Sequence, residues 1–251
     1  MSQKILFIAS NYGLWGEELQ APWDAVKKAG FEPVLSTYLG KTPLPITSSM
    51  DPDFIDPVQK SAVNPANVVT RLKEILEGGE WDNPRNVKDV DMSDYRALAL
   101  VGGPGAPLDI CGNLNVHKLA YEAYASGKVI AALCYSVAVF ALTRNPRNDN
   151  RSIIYGRHVV AHPHAWDFDF DITYPLYGAT TDNCGTDLQT PGFVFPLQYL
   201  VEDAVGSGGS VKADSNATRE RPCVAQDGNI ITGLSVESSI AFGGALVGAL
   251  Q

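Results

Sequence analysis

The chain carries four cysteines, Cys111, Cys134, Cys184 and Cys223, and Cys134 is the one placed for chemistry. It follows a nearly all-apolar run, Val129 to Leu133, typical of a strand buried on both faces of a parallel sheet. Tyr135-Ser136 and a second apolar stretch, Val137 to Leu142, come next, with Pro146 beyond them as expected past a helix end. A strand that turns into a helix at a cysteine puts the thiol on a tight elbow above the carboxyl ends of the strands. The N-terminus of the next helix lies under it, and its free N–H groups and dipole favour thiolate. That is the position of an activated nucleophile. A small apolar filler would occupy the same position equally well.

Two further stretches hold candidate groups. Tyr95 to Val101 reads as a buried strand running into Gly102-Gly103-Pro104-Gly105, where glycines let backbone N–H groups approach a ligand. A plain tight turn is the alternative. His162 to Asp171, HPHAWDFDFD, packs histidines, aspartates and aromatics together. His162 and His164 are candidates for catalysis or substrate binding, and Asp167 or Asp169 for orienting an imidazole in a Cys-His-Asp arrangement. His-x-His can bind zinc, but His117 and His158 lack ligand spacing, so no metal and no cofactor is expected.

The elements that position these groups follow a β-α-β pattern. Ile5 to Ala9 is a first strand, Glu18 to Lys28 a helix stopped by Gly30, and Phe31 to Ser36 a second strand. Tyr38 to Asn67 is rich in proline and reads as a long ordered excursion, which is usually functional or oligomeric. Ala66 to Leu76 is amphipathic and helical, and Trp81 to Ser93 reads as a polar loop. Val116 to Ala125 is a helix leading to the cysteine strand. Pro196 to Ala204 looks helical, Ile230 to Thr232 is a buried strand, and Ser235 is a candidate N-cap for a final helix. The pattern predicts one α/β domain over residues 1–251, a flavodoxin-like parallel sheet sandwiched by helices, with a helical and loop insertion at about 38–93.

With 251 residues, 45% of them hydrophobic, the chain can bury one sizeable core. The net charge of −9 argues against nucleic acid or an anionic membrane and leaves a small-molecule substrate as the expected partner. No CxxC occurs, so neither a zinc ribbon nor a disulfide framework is signalled, and a reducing cytoplasm is the expected compartment. The N-terminal apolar run is too short for a signal peptide or a membrane span.

Four motifs, in order along the chain, resemble the ThiJ/PfpI superfamily, the cysteine branch of the class I glutamine amidotransferase-like fold. They are Glu18-Leu19-Gln20-Ala21-Pro22, the turn Gly102 to Gly105 with Asp109 following, the elbow Ala132-Leu133-Cys134, and Asp227 to Gly233 with Ser238-Ser239 behind it. The nearest likeness is to the larger branch, heat-shock holding chaperones that double as glyoxalase III. Three positions depart from that branch. Cys-His-Gly-Pro is here Cys134-Tyr135-Ser136-Val137, Gly-Gly-His-Gly has Pro104 for its histidine, and an acidic Glu-Glu segment after the elbow is replaced by HPHAWDFDFD.

The resemblance implies that Glu18 lies beside Cys134. A protonated Glu18 donating to a Cys134 thiolate is the expected arrangement, because two such acids in contact do not both ionise cheaply. Glu17 is expected to be a solvated helix-terminal charge. Backbone N–H groups near Gly103 and at Tyr135 are candidates for an oxyanion hole, with the Tyr135 hydroxyl a further donor or a packed aromatic. Gly156 to His162 resembles the Gly-Arg-x-x-Thr-x-His run of other members, which points to His162 as the replacement histidine. The expected function is a cysteine-dependent hydrolase, hydratase or glyoxalase III-like lyase. The alternative is a non-enzymatic stress protein, either a holding chaperone or a redox sensor through Cys134 oxidation. Members are often homodimers, and that is the expectation by analogy.

Overall fold

The computed structural model describes residues 3–180 and 187–251. Cys184 lies outside the described residues. The centre is a seven-stranded sheet. Strand β1 (Lys4–Ala9) is buried almost throughout, Ile5 to Ala9 being fully inaccessible, so both faces of the sheet are covered. It pairs in parallel with β2 (Glu32–Thr37) on one side and β4 (Ala97–Leu100) on the other. The short β3 (Arg85–Asn86) continues the sheet beyond β2, and β5 (Val129–Leu133) continues it beyond β4. Ile230–Gly233 runs parallel to β5, and Val224–Asp227 closes that edge antiparallel. The expected α/β sandwich is therefore present, with one antiparallel edge.

Helix α1 (Gly16–Lys28) begins with Glu17 and Glu18 and ends with Lys27 and Lys28, charges that complement its dipole. It packs on α2 (Ala66–Glu77) and on the terminal helix α7 (Ser239–Leu250). A second group comprises α4 (Leu114–Ala125), capped by the Asn113 side chain, α5 (Val137–Leu142) and α6 (Leu197–Val205). The short α3 (Ala106–Asp109) lies between β4 and α4. Among the described residues, no helix is long and apolar enough to cross a membrane.

Several expectations are corrected. The stretch read as a polar loop, Trp81 to Ser93, supplies β3; two polar residues carry no apolar alternation to mark an edge strand. Ile172–Tyr174 and Leu188–Thr190 pair antiparallel outside the main sheet. Ser235 does not cap α7, which starts at Ser239 after a tight turn at Val236–Ser238.

The proline-rich excursion is pinned onto the loop before α1. Leu14 N–H donates to Leu44 O, Ile46 N–H to Leu14 O, and Gly16 N–H to Ser49 Oγ. The Asn64 side chain closes the excursion by donating to the carbonyls of Ser48 and Asp51, at 2.7 and 2.8 Å. Leu72 of α2 is fully buried against Gly16, at the turn that presents Glu17 and Glu18. Replacing Leu72 with alanine should cost about 2–5 kcal/mol. Urea unfolding should show a lower midpoint with an unchanged slope.

Candidate active site

Cys134 has φ of +56°, a left-handed conformation that a residue with a Cβ adopts only under constraint. The constraint is local. Ser136 Oγ accepts the Leu133 N–H at 3.2 Å and lies 2.9 Å from the Leu100 carbonyl oxygen, tying the elbow to the end of β4. The thiol is buried, and backbone N–H groups of Gly103 and Tyr135 are directed at its sulfur. Ser235 Oγ lies 3.7 Å from the sulfur.

Glu18 is buried in the first turn of α1, with the Cys134 thiol and the Gly102 N–H within reach of its carboxyl. Burial pushes the Glu18 carboxyl well above its usual range. Burial, and then the charge of an ionised Glu18, push the Cys134 thiol up as well. The buried pair therefore shares at least one proton near neutral pH. The expected lowering of the thiol by the helix beneath it is outweighed. That helix is a single tight turn, Cys134–Ser136, followed by six residues, a small dipole against full desolvation.

The glycine turn is required by the same contact. A Cβ on Gly102 would collide with Glu18 Oε2, the Cys134 Cβ and the Leu133 carbonyl. Gly103 adopts φ of +113° and its missing side chain leaves room for the backbone of Leu14 and Trp15. Asp109 anchors the turn by accepting the Asn11 N–H at 2.8 Å, and burial pushes its carboxyl up to about 6.

Glu17 is not solvated, contrary to expectation. It is buried and clamped by Arg219, whose two terminal nitrogens each reach a carboxylate oxygen at 2.6 Å. Arg219 also donates to the Val63 carbonyl at 2.6 Å, fixing the end of the excursion. Glu237 is a further buried acid. Its Oε1 accepts from Ser238 Oγ at 2.5 Å, its Oε2 has no partner in hydrogen-bond geometry, and burial pushes its carboxyl up.

Cys134, Glu18, His162, Gly103 and Tyr135 line one cavity of about 50 Å³, room for a molecule of a few heavy atoms. Trp15, Trp166, Phe168, Tyr174 and Phe193 form its aromatic walls, and Asp56, Gln59 and Val63 of the excursion complete it. The excursion thus forms part of the pocket wall.

His162 is buried, edge-on to Trp166 and 5.3 Å from the Tyr135 ring, measured between centroids. Its Nδ1 lies 3.3 Å from Asp167 Oδ1, outside hydrogen-bond geometry. The Tyr135 hydroxyl donates to that oxygen at 2.6 Å, and the Tyr135 ring stacks on Phe193 at 4.7 Å. Its hydroxyl is therefore committed to Asp167. Asp167, not the exposed Asp169, contacts the imidazoles.

His164 is not brought to the cavity. It is half exposed, 3.1 Å from Asp167 Oδ2 and packed on Tyr199. His117 meets Thr143 Oγ1 at 2.7 Å, and exposed His158 meets Ser210 Oγ at 2.8 Å, both away from the elbow. Among the described residues no group of three or more His, Cys, Asp or Glu side chains is placed to hold a metal ion. Ser235, Glu237 and Arg219 were not recognised as site residues in the sequence, because only long-range packing brings them there.

A mostly parallel sheet, a strained cysteine after its fifth strand and a buried acid from the first helix define a cysteine-elbow α/β fold, the fold seen in solved proteins of the ThiJ/PfpI type. A ThiJ/PfpI domain protein from Brachyspira murdochii shares the fold at a TM-score of 0.58 and 17% identity, over 99% of this chain and 96% of that one. The Francisella tularensis Rapid Encystment Protein 24 KDa aligns over the full length of both chains, with a TM-score of 0.70 and 20% identity. Glyoxalase III from Candida albicans aligns with a TM-score of 0.67 and 18% identity, over 98% of this chain and 96% of that one. In sequence, the chain is 26% identical over 155 residues to the glutathione-independent glyoxalase hsp3102 of Schizosaccharomyces pombe. That match spans 60% of this chain and only 60% of the relative's length. No family model matches the chain.

Alanine at Gly102 must displace either Glu18 or the elbow. Gly102→Ala should abolish the reactivity that depends on their contact, read as loss of turnover in a protein whose circular dichroism stays native. Asp109 gives a pH signature. Its folded pKa of about 6 lies above the unfolded value of about 3.9, so the folded state holds the proton more tightly. This group's contribution to stability is full below pH ~4 and is lost as pH rises to about 6, roughly 3 kcal/mol in all. Asp109→Asn should gain stability relative to wild type over that window, measured by denaturant unfolding at pH ~4.5 and ~7.

Proposed function

We propose that this chain is a cysteine-dependent, glyoxalase-type enzyme that converts a small α-oxoaldehyde and water into a 2-hydroxy acid. The observation that carries the reading is the buried contact of Cys134 with Glu18 in a small aromatic cavity that also holds His162. The glyoxalase names of the fission-yeast and Candida relatives support it. Among a hydrolase, a hydratase and a glyoxalase, the small cavity favours a compact dicarbonyl.

The Cys134 sulfur adds to the aldehyde carbon, and a C–S bond forms as the carbonyl electrons move to oxygen. The shared proton of the Cys134–Glu18 pair passes through Glu18 to that oxygen, giving a hemithioacetal. The N–H groups of Gly103 and Tyr135, directed at the sulfur before substrate adds, are the donors at hand for the charge that develops there. His162 removes the hydrogen of the same carbon as a proton, leaving an enediolate; that proton returns to the neighbouring carbon while the first carbon's hydroxyl proton passes to the neighbouring oxygen, giving a 2-hydroxy thioester on Cys134. The aldehyde carbon is thereby oxidised and the ketone carbon reduced within one molecule, so no external redox partner is needed. Water then cleaves the thioester, and Cys134 recovers its proton as the hydroxy acid leaves. Cys134 supplies the thiol, so none is required from solution.

His162 takes the role of the histidine missing next to the elbow. Tyr135, at that position, holds Asp167 behind the imidazole. A redox-sensor role for Cys134 has less support, since a buried thiol pushed up in pKa is the opposite of an exposed, acidic sensor thiol.

With methylglyoxal, Cys134→Ala should remove turnover. Glu18→Gln and His162→Ala should each lower kcat by about 10²–10⁴ with little change in KM, the scale of general acid–base catalysis. Wild-type protein that forms no hydroxy acid, or variants that match wild type, would sink the reading.

A further inference from the structure

A second cavity, of about 260 Å³, adjoins the catalytic one, and Gln59, Val63 and Val236 line both. The two differ in chemistry. Aromatic rings wall the first, whereas Ser61, Thr218, Arg219, Glu220 and Glu237 line the second. Glu237 is nine-tenths buried there, and its Oε2 has no hydrogen-bond partner. A buried, unpaired carboxyl oxygen is costly, and it makes this wall of the cavity polar.

The charges in the second cavity select the kind of ligand. The Arg219 charge is already paired with the Glu17 carboxylate, so it is not an unpaired cation for a phosphate or carboxylate. Glu220 and Glu237 oppose an anion further. The hydroxyls of Ser61 and Thr218, the Gln59 amide and the Glu237 carboxyl suit an uncharged group that both donates and accepts hydrogen bonds. The catalytic cavity, by contrast, has room only for a short carbonyl head.

We infer that the second cavity holds the hydroxylated tail of the substrate, so that the preferred substrates are α-oxoaldehydes extended by an uncharged polyhydroxyl chain rather than methylglyoxal itself. This rests on the proposed glyoxalase-type reading, whose chemistry it leaves unchanged. Glu237 acts here as a specificity residue, contacting the tail and not the reacting carbons.

The test compares methylglyoxal with 3-deoxyglucosone in the full chain, in wild type and in one variant. Ala62 lines the second cavity at an exposed position, so Ala62→Trp fills the cavity with little risk to folding. Wild type should favour 3-deoxyglucosone by at least about tenfold in kcat/KM, a difference of ~1.4 kcal/mol. Ala62→Trp should erase that preference while methylglyoxal turnover stays within about twofold. Equal turnover of both aldehydes by wild type, or an Ala62→Trp variant that changes both alike or neither, overturns the inference and leaves the glyoxalase reading intact. Calorimetry on Cys134→Ala separates the two ideas. If wild type turns over neither aldehyde, the glyoxalase reading fails. Tighter binding of 3-deoxyglucosone, lost in Cys134→Ala/Ala62→Trp, then still supports the tail site, and equal or absent binding overturns it too.

Discussion

The structure depends on one contact, a carboxyl and a thiol buried against each other with no room for a Cβ between them. Two acids in that position compete for one proton, and the low-dielectric surroundings magnify the competition. Three remote segments must meet to create it: the first turn of α1, the carboxyl end of β4 at Gly102, and the elbow after β5. The sheet order places β4 between β1 and β5, so the loop leaving β1 and the elbow leaving β5 converge over the same glycine. The left-handed backbone of Cys134 is a consequence of this convergence, held by Ser136 against Leu100.

The region around that contact is rich in acids. Glu17, Glu18, Glu237 and Asp167 are all buried at their carboxyls, yet Arg219 is the one guanidinium ion-paired to any of them among the described residues. The four acids meet three different solutions. Glu17 takes a bidentate arginine, which ordinary Coulomb attraction and matched geometry favour. Asp167 accepts from Tyr135. Glu18 and Glu237, without a cation, are pushed toward their neutral forms. With no unpaired guanidinium among the described residues of these walls, the cavity tolerates a neutral molecule better than an anion.

How much of this was legible in the sequence varied with the range of the interaction. The elbow was legible because its strand, cysteine and helix are contiguous, and Glu18 followed from the resemblance in motif order. His162 was reached through a seven-residue run, and the fold puts it in the wall of the cavity that Cys134 also lines. Asp167 and Asp169 were indistinguishable by spacing; the tight turn at His164–Trp166 turns the first inward and leaves the second exposed. Glu17 read as a solvated helix-terminal charge because its partner lies 202 residues away. Ser235 read as a helix cap because serine before an apolar run fits that role locally, whereas its hydroxyl meets the sulfur instead. The β3 edge escaped because a two-residue polar strand has no periodicity to detect.

Tyrosine at the residue after the elbow builds a different arrangement from the one a histidine there would give. A histidine at position 135 would be held by its own backbone beside the sulfur. With tyrosine, the ring stacks on Phe193 and its hydroxyl secures Asp167, which in turn lies behind His162 on a separate segment. The imidazole is then placed by aromatic packing and one carboxylate, not by the elbow itself. Its position depends on Trp166 and Phe193 as much as on any hydrogen bond. The place of an imidazole in this cavity is thus set by the rings that close on it, and it does not require a residue carried by the elbow.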